Sequence, residues 1–396
     1  MKQLLLLISF FYTTISFSQC GNRYVDSIFE VEKNTYVFGQ NTTYDGTNQT
    51  LNLDLYTPKN DIESKRPCII FCFGGSFVTG SRTSTELVQL AEFFTKKGYV
   101  CASIDYRLDN FLNLIAAEST TKAVWRAVQD AKAAIRYLRS KQTDFKIDEK
   151  QIFIGGTSAG AITAMTAGYS QFNDFPASLQ TVINSLGGFE GSSNNLTLSS
   201  EVKGLFGFSG AILDTSHIRS KDLPVYLNHA VNDFTVPFRL GKPLGGASQI
   251  DIHGSYNIML RIKNQQGYFV MDSFNTANHP SFVLGTMPLI AEFDTLKSHL
   301  NGFFYDLLDC NPNKKYSSSI AQITKNSTSS FYPNPVESEI NFNFIAQKNI
   351  VEIYDMMGRK RLSEIVSDKK ISIGDLPKGM YWIQINEEPP LKMMKK

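Results

Sequence analysis

No sign of charge dominates this chain. Its 39 Lys and Arg stand against 37 Asp and Glu, a net +2, with no long block of one sign. That leaves no electrostatic case for binding nucleic acid or an anionic membrane surface. Cysteine is scarce, with five residues. Cys68 and Cys72 are the only closely spaced pair, and there is no C-x-x-C or His-rich cluster, which argues against a structural zinc site. Beyond the first twenty residues no stretch is long and apolar enough to span a bilayer, so no membrane span is expected in the mature protein. No repeat recurs at a solenoid period. What remains is an ordinary globular composition, 42% hydrophobic and 12% aromatic, in 396 residues. That length allows two or three domains and a large core.

The N-terminus reads as an address. Lys2 is followed by an apolar stretch over 4–17, broken only by Ser and Thr, and then by Ser16-Phe17-Ser18. This pattern predicts a secretory signal peptide over 1–19. A membrane anchor is the rival reading, but the run is shorter than the ~20 apolar residues a span needs. A lipoprotein signal ending before Cys20 is disfavoured by the bulk of Gln19. Residues 20–310 then alternate strand and helix patterns. Residues 311–330, with Asn311-Pro312-Asn313 and Ser317-Ser318-Ser319, read as a polar linker. Residues 331–396 carry short alternating strands.

In the large zone, 35–44 and 49–56 flank Asp45-Gly46 as an opening hairpin. Short apolar runs at 67–73, 99–104, 151–155, 202–208, 224–229 and 267–273 suit strands buried on both faces. The clearest helix is 122–139, where Val124, Ala127, Val128, Ala131, Ile135 and Leu138 form one stripe. Helices are also expected at 161–169, 253–266 and 285–308. Such alternation predicts a mostly parallel sheet flanked by helices.

The strongest chemical signal is Gly156-Thr157-Ser158-Ala159-Gly160, a G-x-S-x-G between a buried strand and a helix. A strand turning straight into a helix strains the central Ser158. Glycine two residues away on either side avoids a collision where strand and helix cross. The hydroxyl is then presented as a candidate nucleophile at the start of a helix. The alternative is a tight glycine turn with an idle serine. Upstream, Phe73-Gly74-Gly75-Ser76-Phe77 leaves a strand as a glycine loop. The N–H groups of Gly75, Ser76 and Ala159 are candidate oxyanion donors.

Five histidines could serve as base, and all follow Ser158 in the chain. His279, in a loop after the last strand, is the first choice. His253, opening a helix, is the runner-up. His229 reads as a packed, hydrogen-bonded strand histidine and His299 as mid-helix; His217 is the fifth candidate. The acid that orients the base is expected at Asp233, in the loop after 224–229, with Asp214 as competitor. The order Ser158…Asp233…His279 is that of a nucleophile-elbow hydrolase.

These residues resemble the α/β-hydrolase superfamily, and within it the carboxylesterase and hormone-sensitive-lipase-like esterases, over nearly all of 35–308. Phe73-Gly74-Gly75-Ser76-Phe77 looks like their H-G-G-G-F loop, Asp105-Tyr106-Arg107-Leu108 like their D-Y-R-L, and the elbow like their G-[TD]-S-A-G. The resemblance implies an eight-stranded sheet, a Ser158–His279–Asp233 triad and ester hydrolysis with no cofactor. Phe73 replaces the histidine that braces the loop in that family, and Ser76 replaces the third glycine. Substrate choice is expected to lie in 169–201 and 108–121.

The tail resembles a second family. Phe331-Tyr332-Pro333-Asn334-Pro335, then Val351 through Gly358, then Leu376-Pro377-Lys378-Gly379 look like the C-terminal sorting domain of Bacteroidetes type IX secretion. That implies a small β-sandwich, the type IX machinery as partner, and a secreted or cell-surface destination through the periplasm. The other reading is a carbohydrate-binding or adhesive module. On such a route, Cys20 and Cys310, which bracket the hydrolase zone, are expected to form a disulfide. Cys68, Cys72 and Cys101 read as small apolar core residues.

The function expected is a secreted serine esterase acting on small-molecule or polysaccharide-linked esters, such as acyl or feruloyl groups. The rivals are a prolyl-oligopeptidase-like peptidase and a non-catalytic surface-binding protein on the same scaffold.

Overall fold

The computed structural model describes residues 20–114, 116–219, 223–276, 278–280, 283–284, 287–288, 290–312, 330–343, 349–355, 359–367, 369–385 and 391–396. The expected signal peptide, most of the expected linker and Met356-Met357-Gly358 of the tail motif lie outside the described residues. The chain divides into two compact units near position 322. Among the described residues no helix is long and apolar enough to cross a membrane.

In the larger unit the strands are β1 (Val31–Thr42), β2 (Asn48–Pro58), β3 (Arg66–Cys72), β4 (Val100–Ile104), β5 (Ile147–Thr157), β6 (Gly204–Phe208), β7 (Ala211–Ile212), β8 (Val225–Ala230), β9 (Leu240–Gly241), β10 (Ile252–Gly254), β11 (Phe269–Phe274), β12 (Val283–Leu284) and β13 (Met287–Pro288). The helices are α1 (Thr85–Thr95), α2 (Ala117–Ser140), α3 (Ala159–Tyr169), α4 (Ala177–Ser185), α5 (Ser255–Asn264) and α6 (Ile290–Leu307). Eight strands form one sheet in the order β1-β2-β4-β3-β5-β6-β8-β11. β1, β2 and β4 pair antiparallel, and every other neighbour is parallel. The opening hairpin turns at Asp45-Gly46, where Gly46 has φ +89° and the Asp45 carboxylate accepts the Thr47 N–H.

The short apolar runs become strands because helices cover both faces of the sheet. Every residue of β3, β4, β6 and β8 is buried. α2 runs 24 residues, starting earlier than its apolar stripe. Its buried Asp130 pairs with Arg107 at 2.9 Å and accepts the Ser193 hydroxyl, which pins the 187–196 segment to the helix.

Two helix expectations are corrected. The last helix begins at Ile290 rather than 285, because β12 and β13 occupy part of the segment after His279. His253 does not open a helix. It lies in β10, which pairs with β7 and β9 as a separate small sheet, and α5 starts after it. A disulfide joins Cys20 to Cys310, while Cys68, Cys72 and Cys101 are free and buried.

The smaller unit holds two antiparallel sheets. β14 (Ser330–Tyr332), β15 (Glu339–Asn343) and β18 (Lys370–Ser372) form one, in the order β14-β15-β18. The other is β17 (Lys360–Val366), β16 (Asn349–Asp355), β19 (Gly379–Ile385) and β20 (Leu391–Lys395), in that order. Both contribute to one core containing Ile340, Phe342, Val351, Ile353, Ile371 and Ile383. Period-two alternation puts those residues on the inner faces, as a small sandwich requires.

Candidate active site

β5 ends at Thr157 and α3 begins at Ala159, so Ser158 alone makes the turn. It does so at φ +53°, ψ −116°, a conformation a side chain rarely adopts. The Ser158 N–H is held by the Phe208 carbonyl of β6 at 2.8 Å. The flanking glycines are needed for a reason the spacing alone does not reveal. A Cβ on Gly156 would lie 2.0 Å from the Cys72 carbonyl oxygen, and one on Gly160 2.1 Å from the same atom. Both glycines thus make room for the end of the neighbouring strand β3.

Three side chains from separate loops meet here. His279 Nε2 is 2.7 Å from Ser158 Oγ, and His279 Nδ1 is 2.6 Å from Asp233 Oδ2. A carboxylate only accepts, so Nδ1 carries the proton and Nε2 accepts from the Ser158 hydroxyl. Asp233 Oδ1 accepts the N–H of Thr235 at 2.8 Å and of Val236 at 3.0 Å. Burial pushes the Asp233 carboxyl up. Hydrogen bonds from His229, His279 and the Val236 N–H, with the charge of protonated His279, outweigh it and hold the group well below the usual carboxylate range.

The other candidates lie elsewhere. His217 pairs with Ser170 Oγ at 2.9 Å, His253 with Asn257 at 3.2 Å, and His299 with Asp272 at 2.9 Å. Asp214 caps the turn at Thr215–His217 by accepting the Ser216 N–H. His229 is packed in β8 as expected, but it also approaches Asp233, with Nε2 3.3 Å from Oδ2.

The glycine loop after β3 turns through three successive positive φ values, at Gly75 (+123°), Ser76 (+53°) and Phe77 (+63°). A Cβ on Gly75 would lie 2.2 Å from the Thr79 carbonyl. Tyr106 supplies the brace that Phe73, in place of histidine, does not. Its hydroxyl donates to the Phe73 carbonyl at 2.7 Å, and the two rings stack 4.0 Å apart. Ala159 is the first residue of α3, so its N–H has no acceptor one turn back.

Ser76, Ser158 and Ala159 open onto one cleft of about 1000 Å³, its mouth included. Val124 and Trp125 of α2, Ile162 of α3 and Phe175, Leu179 and Ile183 around α4 form its apolar walls. Thr120 and Thr121 also line it, so both segments expected to govern substrate choice contribute. A third wall was not anticipated: Val236, Leu244, Ile250 and Ile252, from the stretch between Asp233 and α5. The signal was there in the length of that connection, which is long for a plain loop. Among the described residues lining the cleft none is charged. Among the described residues no group of three or more His, Cys, Asp or Glu is arranged to hold a metal.

Residues 53–212 match the model of the family described as BD-FAE, and 330–396 match the secretion system C-terminal sorting domain. Esterase LipC of Mycobacterium tuberculosis is 30% identical over 145 residues, 35% of this chain and 33% of that protein. The isoprenylcysteine alpha-carbonyl methylesterase ICME of Arabidopsis thaliana is 27% identical over 206 residues, 49% of this chain and 42% of that protein. The chain thus spans less than half the length of these curated relatives. Among solved structures, Thermogutta terrifontis esterase 2 phosphorylated by paraoxon aligns with a TM-score of 0.51 and 22% identity, over 69% of this chain and 94% of that one. At that identity the likeness is one of fold.

Proposed function

Since the larger unit is an α/β hydrolase with a BD-FAE segment and the smaller a secretion sorting domain, we propose that the protein is an exported serine esterase. The reading rests on one observation: the continuous hydrogen-bond chain from Asp233 through His279 to Ser158, which itself lines a cleft with no charged residue among those described. Ser158 Oγ attacks the ester carbonyl as His279 Nε2 takes its proton. Asp233 holds the tautomer and stabilises the imidazolium. The N–H groups of Gly75, Ser76 and Ala159 receive the oxyanion. Collapse of the tetrahedral species expels the alcohol, protonated by His279, and leaves an acyl-enzyme. Water, deprotonated by the same histidine, then releases the acid.

The apolar, partly aromatic walls favour an uncharged and bulky group beside the reacting carbonyl. Acyl or feruloyl esters of polysaccharides are the substrates we assign, with the soluble acid as product. The tail would direct export through the type IX machinery, after a secretory signal has brought the chain to the periplasm.

The test is turnover of a short-chain nitrophenyl ester by the wild type and Ser158→Ala. Loss of turnover in the variant is expected. Equal background from both proteins would indicate a binding protein, and cleavage of peptide amides but not esters would indicate a peptidase.

A further inference from the structure

His229 has no place in the mechanism above, yet it is fully buried beside the candidate acid. It sits near the end of β8, a parallel strand between β6 and the edge strand β11. Its Nε2 lies 3.1 Å from the Val236 carbonyl oxygen and 3.3 Å from Asp233 Oδ2. Both neighbours are acceptors only, so Nε2 carries a proton that points between them. Its Nδ1 lies 2.8 Å from Ser255 Oγ, at the first residue of α5. Ser255 Oγ is in turn 3.4 Å from the Gly210 carbonyl. The Phe238 ring closes the remaining side, edge-on at 5.5 Å between centroids.

We infer that His229 is a positioning residue for Asp233. The inference rests on the triad reading above. The loop 233–236 is clamped twice: Val236 gives its N–H to Asp233 Oδ1 and its carbonyl to His229 Nε2. The carboxylate is therefore fixed on both oxygens. Thr235 and Val236 hold Oδ1, while Oδ2 faces the N–H groups of His279 and His229. Without the His229 N–H, Oδ2 would rely on His279 alone, the ring that it has to aim. With both oxygens engaged, Oδ2 stays aimed at His279 Nδ1, and the imidazole stays aimed at Ser158. Ser255 fixes the ring plane of His229, because α5 starts where its hydroxyl meets Nδ1. A packing role alone would need only an aromatic or aliphatic body at this position. It would not account for polar partners on both ring nitrogens.

The experiment compares His229→Leu, His229→Gln and Ser255→Ala with the wild type, on a nitrophenyl ester and by thermal melting. His229→Leu should lower kcat about tenfold or more with KM unchanged, the rate equivalent of one hydrogen bond to a charged group. His229→Gln, whose amide N–H reaches toward the same two oxygens, should recover most of that loss. Ser255→Ala should lower kcat by a smaller factor, and it carries the test if His229→Leu does not fold. Wild-type kcat in a folded His229→Leu or, failing that, in Ser255→Ala overturns the inference. So does an equal loss in the Leu and Gln variants, or a loss that falls on KM. An inactive wild type would instead refute the esterase reading, which keeps the two failures distinct.

Discussion

Replacing Asp233 by asparagine tests the site most sharply, because the surrounding hydrogen bonds dictate which way the amide must face. The Oδ1 position receives two backbone N–H groups, at 2.8 and 3.0 Å. An asparagine carbonyl oxygen belongs there. The opposite orientation would set the NH2 against two donors, each mismatch costing about 1–3 kcal/mol. The NH2 therefore takes the Oδ2 position, 2.6 Å from His279 Nδ1. There it donates to His279, so Nδ1 must become the acceptor and the ring proton moves to Nε2, while the His229 N–H keeps the Val236 carbonyl as its acceptor. The imidazole then presents an N–H, not a lone pair, to Ser158 Oγ and cannot take its proton. Such a wrong tautomer costs about 10⁴ in kcat, or about 5 kcal/mol in the barrier. The assay is kcat/KM on a short-chain nitrophenyl ester at neutral pH, with a melt to show that the fold persists. A variant within tenfold of the wild type would refute the reasoning. The same pair checks a pH effect. Folding depresses the Asp233 pKa, so its carboxylate stabilises the native state above the unfolded value of about 3.9. That contribution is lost as pH falls from there through the folded value. Denaturation at pH 7, 5 and 3 should show the wild type's advantage over Asp233→Asn constant at the first two and shrinking at the third.

Three further outcomes are expected. Gly160→Ala places a Cβ 2.1 Å from the Cys72 carbonyl and 2.5 Å from that of Phe73, backbone atoms that no rotamer change can clear. It should cost about 3 kcal/mol by urea denaturation and reduce activity, while Gly302→Ala in α6, with nothing within 4 Å, should be neutral or slightly stabilising. Tyr106→Phe leaves the Phe73 carbonyl without its donor. It should cost about 1–3 kcal/mol in stability and lower kcat more than KM changes, since the tether of the Gly75–Ser76 loop is lost. Leu179→Trp should slow hexanoate or cinnamate esters about tenfold relative to acetate by filling the apolar wall at α4; equal slowing of all three would remove α4 from acyl selection.

The elbow, the parallel sheet and the alternating tail were legible in the residues because each is written locally. A buried parallel strand is a short apolar run, a strand of the tail sandwich alternates with period two, and a turn held at positive φ advertises itself by its glycines. The strained turn at Ser158 needed only its own neighbours in sequence to be read. The chain order of Ser158, Asp233 and His279 followed from knowing which loops leave one edge of a parallel sheet.

Other features depend on residues far apart in the chain. The need for Gly156 and Gly160 comes from the Cys72 carbonyl, more than eighty positions upstream. The brace for the glycine loop comes from Tyr106, whose hydroxyl no pattern around Phe73 announces. The third wall of the cleft comes from a connection that looked like a loop, and the approach of His229 to Asp233 from a strand histidine whose hydrogen-bond partners the sequence did not name. Sequence spacing determines what a segment does on its own, through backbone sterics and the rhythm of apolar residues. Which distant groups share a site is decided only when burial forces every polar atom to find a partner within about 3 Å, a condition that acts on the folded chain as a whole.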